Sequence, residues 1–152
     1  MPKTVRQQIV EAVRDRFKTI RTSGGFQTNL GANLTVWNVV PITERQLEGI
    51  DLRDTSDKYD DKITRHVDHK LRIDAEFHCK REEATAAYLR NGIADINQAV
   101  GVDSSWGNLA LRTRILGDEM IIDKTDKTIG GVQVQLEIEY RHTRFNMFSQ
   151  TP

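Results

Sequence analysis

From Lys70 to Cys79 the chain alternates strictly, with Leu71, Ile73, Ala75, Phe77 and Cys79 at the odd positions and Lys70, Arg72, Asp74, Glu76 and His78 at the even ones. A helix would scatter such a set around its circumference, whereas a strand gathers the apolar members on one face. The pattern recurs in Val132, Val134, Leu136, Ile138 and Tyr140, interleaved with Gln133, Gln135, Glu137, Glu139 and Arg141. Two strands with one dry and one wet face need an apolar cover on one side only. The remaining sequence can supply it as helices.

Val5, Ile9, Val13 and Phe17 recur every fourth residue, with Val10 and Ile20 widening the stripe. Thr4 and Gln7 stand in capping-box positions, and Gly24-Gly25 ends the pattern. Between Glu82 and Val100 helical spacing returns in Ala84, Tyr88, Leu89, Ile93, Ile96 and Val100. Early acids there suit the helix dipole, Gly92 permits close approach to a sheet, and Gly101 is the expected stop. Leu34 to Val40, rich in β-branched residues and closed by Pro41, reads as a first strand. Ala110 to Ile122 supplies further strand material broken at Gly117-Asp118, and the Val132 to Tyr140 run reads as the last strand.

The expected fold is α+β: a mainly antiparallel sheet of about four or five strands with two helices packed on one face, in a single domain over residues 1–152. The uncovered face, with Arg72, Asp74, Gln133, Glu137 and Glu139, suits water or a large wet partner. Thr43 to Arg65 shows no lasting period and carries seven acids against three bases between Glu44 and Asp61, a net of −4. It reads as an acidic exposed loop or arm.

Composition narrows the function. Twenty-two Lys and Arg balance 22 Asp and Glu, which argues against a dedicated nucleic-acid binder. A single cysteine, Cys79, cannot form an internal disulfide and suits a reducing compartment. No apolar run reaches the roughly 20 residues of a membrane span, and the amino-terminal residues lack a signal-peptide pattern. A soluble cytosolic protein without membrane contact is expected.

The candidate chemical groups dissolve on inspection. His66, His69, His78 and Cys79 resemble a ligand set, but alternation puts His69 with Cys79 and His66 with His78, at spacings foreign to zinc sites. Asp51, Asp54, Asp57 and Asp60 recur every third residue without the glycine and closing glutamate of a calcium loop. Gly24-Gly25 and Gly31 follow a helix instead of a strand, unlike a phosphate loop. There is no Gly-x-Ser-x-Gly elbow, and adjacent His78 and Cys79 point to opposite faces. The expectation is therefore no catalytic residue, no metal and no cofactor; a small metal-dependent enzyme using the acidic segment with His66 or His69 is the rival reading.

Charge placement suggests assembly instead. Residues 1–22 carry six bases against two acids, a net of +4 opposing the −4 of the acidic segment. In a symmetric ring such patches can meet head to tail, and Arg14 and Arg16 against Asp57 and Asp60 are the candidate subunit contacts.

The segment Gly25-Phe26-Gln27-Thr28-Asn29-Leu30-Gly31, behind a helix ending Phe17-Lys18-Thr19-Ile20, resembles the lead-in to the first strand of bacteriophage tail terminator and tail-to-head joining (neck) proteins of long-tailed phages. Pro41, the alternating Leu71 to Cys79 strand, Ala94-Asp95-Ile96-Asn97-Gln98-Ala99-Val100, Ser105-Trp106-Gly107 and the strand ending at Tyr140 are similar in order and spacing, from about Val5 to Thr143. The resemblance implies a structural virion protein at the head-tail junction, assembled in the host cytoplasm and without enzymatic activity. It would form a homohexameric ring that caps the tail tube protein, stops polymerisation and faces a head-completion or neck protein while genomic DNA passes through the channel. A head-completion or minor tail protein is the nearest alternative.

Overall fold

The computed structural model describes residues 1–38, 48–61, 65–80, 85–123 and 129–150. Helix α1 (Val5–Phe17) begins where Thr4 Oγ1 accepts from the Gln7 amide at 3.1 Å. It stops at Phe17, earlier than the glycine pair. A short 3-10 turn, Thr22–Gly24, then leads into Gly25 at φ +89°, and Ile20 stays buried.

Strand β1 (Leu34–Val36) is shorter than expected; the rest of the expected strand, with Pro41, lies outside the described residues. Strand β2 (Ile50–Asp60) corrects the sequence reading. Eleven of the fifteen described residues of the acidic segment expected to be a loop or arm form a strand, hydrogen-bonded antiparallel to β3 (His66–Lys80) from Ile50↔Phe77 to Asp60↔Asp68. Residues 43–47 and 62–64 of that segment lie outside the described residues.

Helix α2 (Thr85–Val102) runs through Gly101, which does not end it, and the expected start at Glu82 lies outside the described residues. Strands β4 (Arg112–Asp123) and β5 (Ile129–Thr143) follow, and β6 (Asn146–Gln150) pairs back on β5 beyond the strand expected to be last. Gly117 does not break β4: the ladder absorbs it as a bulge between Ile115 and Gly117.

The result is α+β, with one six-stranded mixed sheet in the order β1-β2-β3-β5-β4 and β6 on β5. Every strand pair is antiparallel except β1 with β2. The sheet holds six strands instead of four or five because β2 and β6 carry too few apolar residues to announce themselves. The odd residues of β3 and the even residues of β5 form the buried face, joined by Ile9, Val13, Phe17, Leu89 and Ile96 from the helices in one core.

Two glycines set how closely the layers approach. A Cβ on Gly92 would stand 2.5 Å from Phe77 Cζ and 2.9 Å from Leu30 Cδ1, so α2 rests on β3 only because that atom is missing. A Cβ on Gly31 would lie 2.3 Å from the Phe17 carbonyl oxygen. The loop after α1 therefore packs directly on the end of that helix.

Candidate assembly surfaces

The Gly25–Gly31 and Ala94–Val100 segments meet in space. Asp95 of α2 is buried, and its carboxylate accepts from the amides of Gln27 (3.0 Å) and Thr28 (2.8 Å) and from Thr28 Oγ1 (2.7 Å). A buried carboxylate needs such donors, so Asp95 locks the Gly25–Gly31 loop onto the helix. Ser105-Trp106-Gly107 forms a second lock. Asp103 accepts from Ser105 Oγ (2.6 Å), the Gly107 amide (2.8 Å) and the Ser105 amide (2.9 Å), bonds that pull its carboxyl down to about 2. They hold a turn in which Trp106, Gly107 and Asn108 all adopt positive φ.

Two of the four expected interface residues serve this architecture. Arg16 donates to the carbonyls of Ala99 (3.1 Å) and Asp103 (2.9 Å) and lies 4.5 Å over the Trp106 ring, capping the carboxyl end of α2. Asp57, its side chain 3% exposed, accepts from Tyr140 Oη and contacts His69 Nδ1 at 2.9 Å. Arg14 lies half-exposed beside Asp15, and Asp60 is exposed near the end of β2.

Asp57 belongs to a polar cluster at one end of the covered face. His69 Nε2 lies 2.6 Å from His142 Nε2, and His142 Nδ1 lies 2.7 Å from the Thr143 carbonyl oxygen. The rings of Tyr140 and Tyr59 sit against His69 at centroid distances of 4.6 and 4.0 Å. Arg6 reaches from α1 to Asp54 Oδ2 (2.7 Å) and the Asp54 carbonyl (3.0 Å), with Asp57 at 3.9 Å. Burial pushes the His69 imidazole down from its ordinary value against the pull of Asp57, and burial together with Asp57 pushes the Tyr140 phenol far up. The Nε2–Nε2 contact requires one ring nitrogen to donate and the other to accept. The cluster therefore fastens β2, β3, β5 and α1 together. His69 and Cys79 do share the buried face, as alternation indicates. Sequence could not show that His142 and Asp57 would meet His69 there.

The opposite face is wet and self-paired. Arg112 makes a two-pronged bond to Glu139 (2.8 and 2.9 Å), Arg114 bonds Glu137, Arg141 bonds Asp68, and Asp74 accepts from Arg72 and Gln133 at 3.0 Å. The Arg112 bond holds the Glu139 carboxyl below its usual range. A hollow of about 300 Å³ opens there between Glu76, His78, Glu119 and Ile121. Among the described residues, no three His, Cys, Asp or Glu side chains stand close enough to hold a metal ion, and no helix is long and apolar enough to cross a membrane.

No protein-family model and no curated protein sequence matches the chain.

The sheet edges complete the surface. Among the described residues, Ile50 to Leu52 of β2 are the ones paired with β1. Beyond them stand Arg53, Asp54, Lys58 and Asp60, with Trp37 Nε1 bonding Asp54. On β4 no described strand pairs with the side away from β5, and Leu116 and Ile121 are 48% and 67% exposed. The parity shift at Gly117 hides from the sequence which face these two residues take.

Proposed function

We propose that the protein is a structural tail terminator of a long-tailed phage, a ring subunit that caps the tail tube, stops its growth and offers its other surface to the neck proteins. The observation that carries this reading is the Thr28–Asp95 contact. It joins two segments, 67 residues apart, whose likeness to that family is otherwise only one of order and spacing. They act as one packing unit, as pieces of a shared fold would.

The polar, ion-paired sheet face suits a wide wet interface better than an enclosed reaction site. Within the subunit Arg16 and Asp57 have structural duties. Ring closure by opposed charge therefore falls to the basic surface of α1 around Arg14 and the acidic end of β2 around Asp60. DNA passes through the ring without being read, consistent with the balanced charge.

Electron microscopy of tail tubes mixed with the tagged protein tests this. Density at one end of each tube supports the proposal. Decoration along the tube, or none, contradicts it.

A further inference from the structure

The β4 edge is twelve residues long and contains no proline, and its outward amide and carbonyl groups meet no described strand. Such an edge is a template for another strand. Its side chains indicate which one. The amino-terminal half carries Arg112 and Arg114, the carboxyl-terminal half Asp118 and Glu119, and the exposed Leu116 lies between them. Reversed end for end, this arrangement complements itself.

The bulge fixes the register. Before it, Arg112 and Arg114 face the wet side, opposite Glu139 and Glu137 of β5. After it the parity shifts, so that Glu119 and Ile121 face the wet side opposite Gln133 and Gly131. Strands that pair antiparallel must match face to face. A two-fold axis between Leu116 and Gly117 does this along the whole overlap. It sets Arg114 of one copy against Glu119 of the other, Arg112 against Ile121, and Thr113 against Met120. We propose that the protein self-associates in this way, as an isologous dimer joined β4 to β4.

Glu119 faces an uncharged Gln133 in its own sheet, and the five donors of the Arg114 guanidinium can serve the second copy's Glu119 as well as its own Glu137. The exposed Leu116 side chains of the two copies come together at the axis, and each Ile121 covers the aliphatic stem of the other copy's Arg112. A rotational ring closes through heterologous contacts, so this isologous contact is separate from tail capping, and either can fail without the other.

Sedimentation equilibrium of the full chain tests the proposal. The native protein is expected to show a monomer–dimer equilibrium, E119R to raise the dimer dissociation constant about tenfold or more, and R114E/E119R to recover much of that loss. Because R114E also disturbs the bond to Glu137, cysteines provide an independent test. An oxidised mixture of R112C and I121C chains should give disulfide-linked dimers, and either variant alone should not. The only native cysteine, Cys79, is buried and does not interfere. A native protein that stays monomeric at millimolar concentration, or equal cross-linking in the unmixed variants, would overturn the proposal; larger species that persist in E119R belong to ring closure and leave the β4 test to the cysteine pair.

Discussion

At the β2 edge the sheet finishes in charges tied down by its own chain, whereas at the β4 edge it finishes in exposed Leu116 and Ile121 with no described segment laid over them. Arg6 crosses from α1 to the Asp54 carbonyl, Trp37 bonds the Asp54 carboxylate, and Asp57 turns inward to His69 and Tyr140. The β2 edge is thus bound into the subunit by polar contacts that are costly to break. Strand β4 is held by β5 and, at Thr113, by the Trp106 indole and the Ser104 carbonyl, all on its inner side, and no described strand pairs with its outer side. Substitutions at the first should therefore act on stability, and substitutions at the second on association.

The largest effect is expected from Asp57→Ala. It strands the buried His69 Nδ1 and Tyr140 Oη without their acceptor, and should cost about 3 kcal/mol in denaturant unfolding. Asp57→Asn, which keeps an acceptor, should cost less. A loss under about 0.5 kcal/mol for Asp57→Ala would mean that the cluster does not hold β2 in place.

Acid should find the same weak point. The folded state depresses the His69 pKa, so the unfolded chain binds more protons below the ordinary histidine value of about 6.5. The stability contributed by His69 is present above that value and lost as the pH falls through the depressed one. Urea midpoints measured at pH 7 and pH 5 should drop for the native chain and move less for His142→Gln, which removes one of the paired imidazoles.

Arg6→Ala should cost about 1 to 2 kcal/mol, because its bonds to Asp54 are half-buried and one goes to a backbone carbonyl. Thermal unfolding reads this directly, and the charge-conserving Arg6→Lys should recover only part of it. Smallest in stability is Ile121→Lys on β4, expected within about 0.5 kcal/mol of the native chain yet weaker in self-association by sedimentation. If Ile121→Lys instead unfolded the protein, the contrast between the two edges would be wrong.

The two edges also explain what could be read in advance. Strands β3 and β5 and helix α1 were legible because apolar residues mark their buried sides in Leu71 to Cys79, Val132 to Tyr140 and Val5 to Phe17. Strand β2 alternates too, but beyond Leu52 its inward residues are Asp54, Asp57 and Tyr59, which face a polar cluster instead of an oily core. A bulge between Asp54 and Ser56 then shifts the parity, so that Asp54 and Asp57, three apart, share a face and the period of two is lost. That spacing looked like a loop because its burial rests on His69, 12 residues away from Asp57, and on His142, 73 residues away from His69. Arg16 shows the same gap: nothing near it in sequence signals the Trp106 ring and the α2 carbonyls that engage it.

In the proposed role the fold acts by fitting between larger parts at the end of a tail tube. The most direct measurement is the length distribution of tail tubes assembled with and without the protein, scored by electron microscopy. Tubes of uniform length with it and overgrown tubes without it are the expected result. Tubes equally uncontrolled in both preparations would contradict the account.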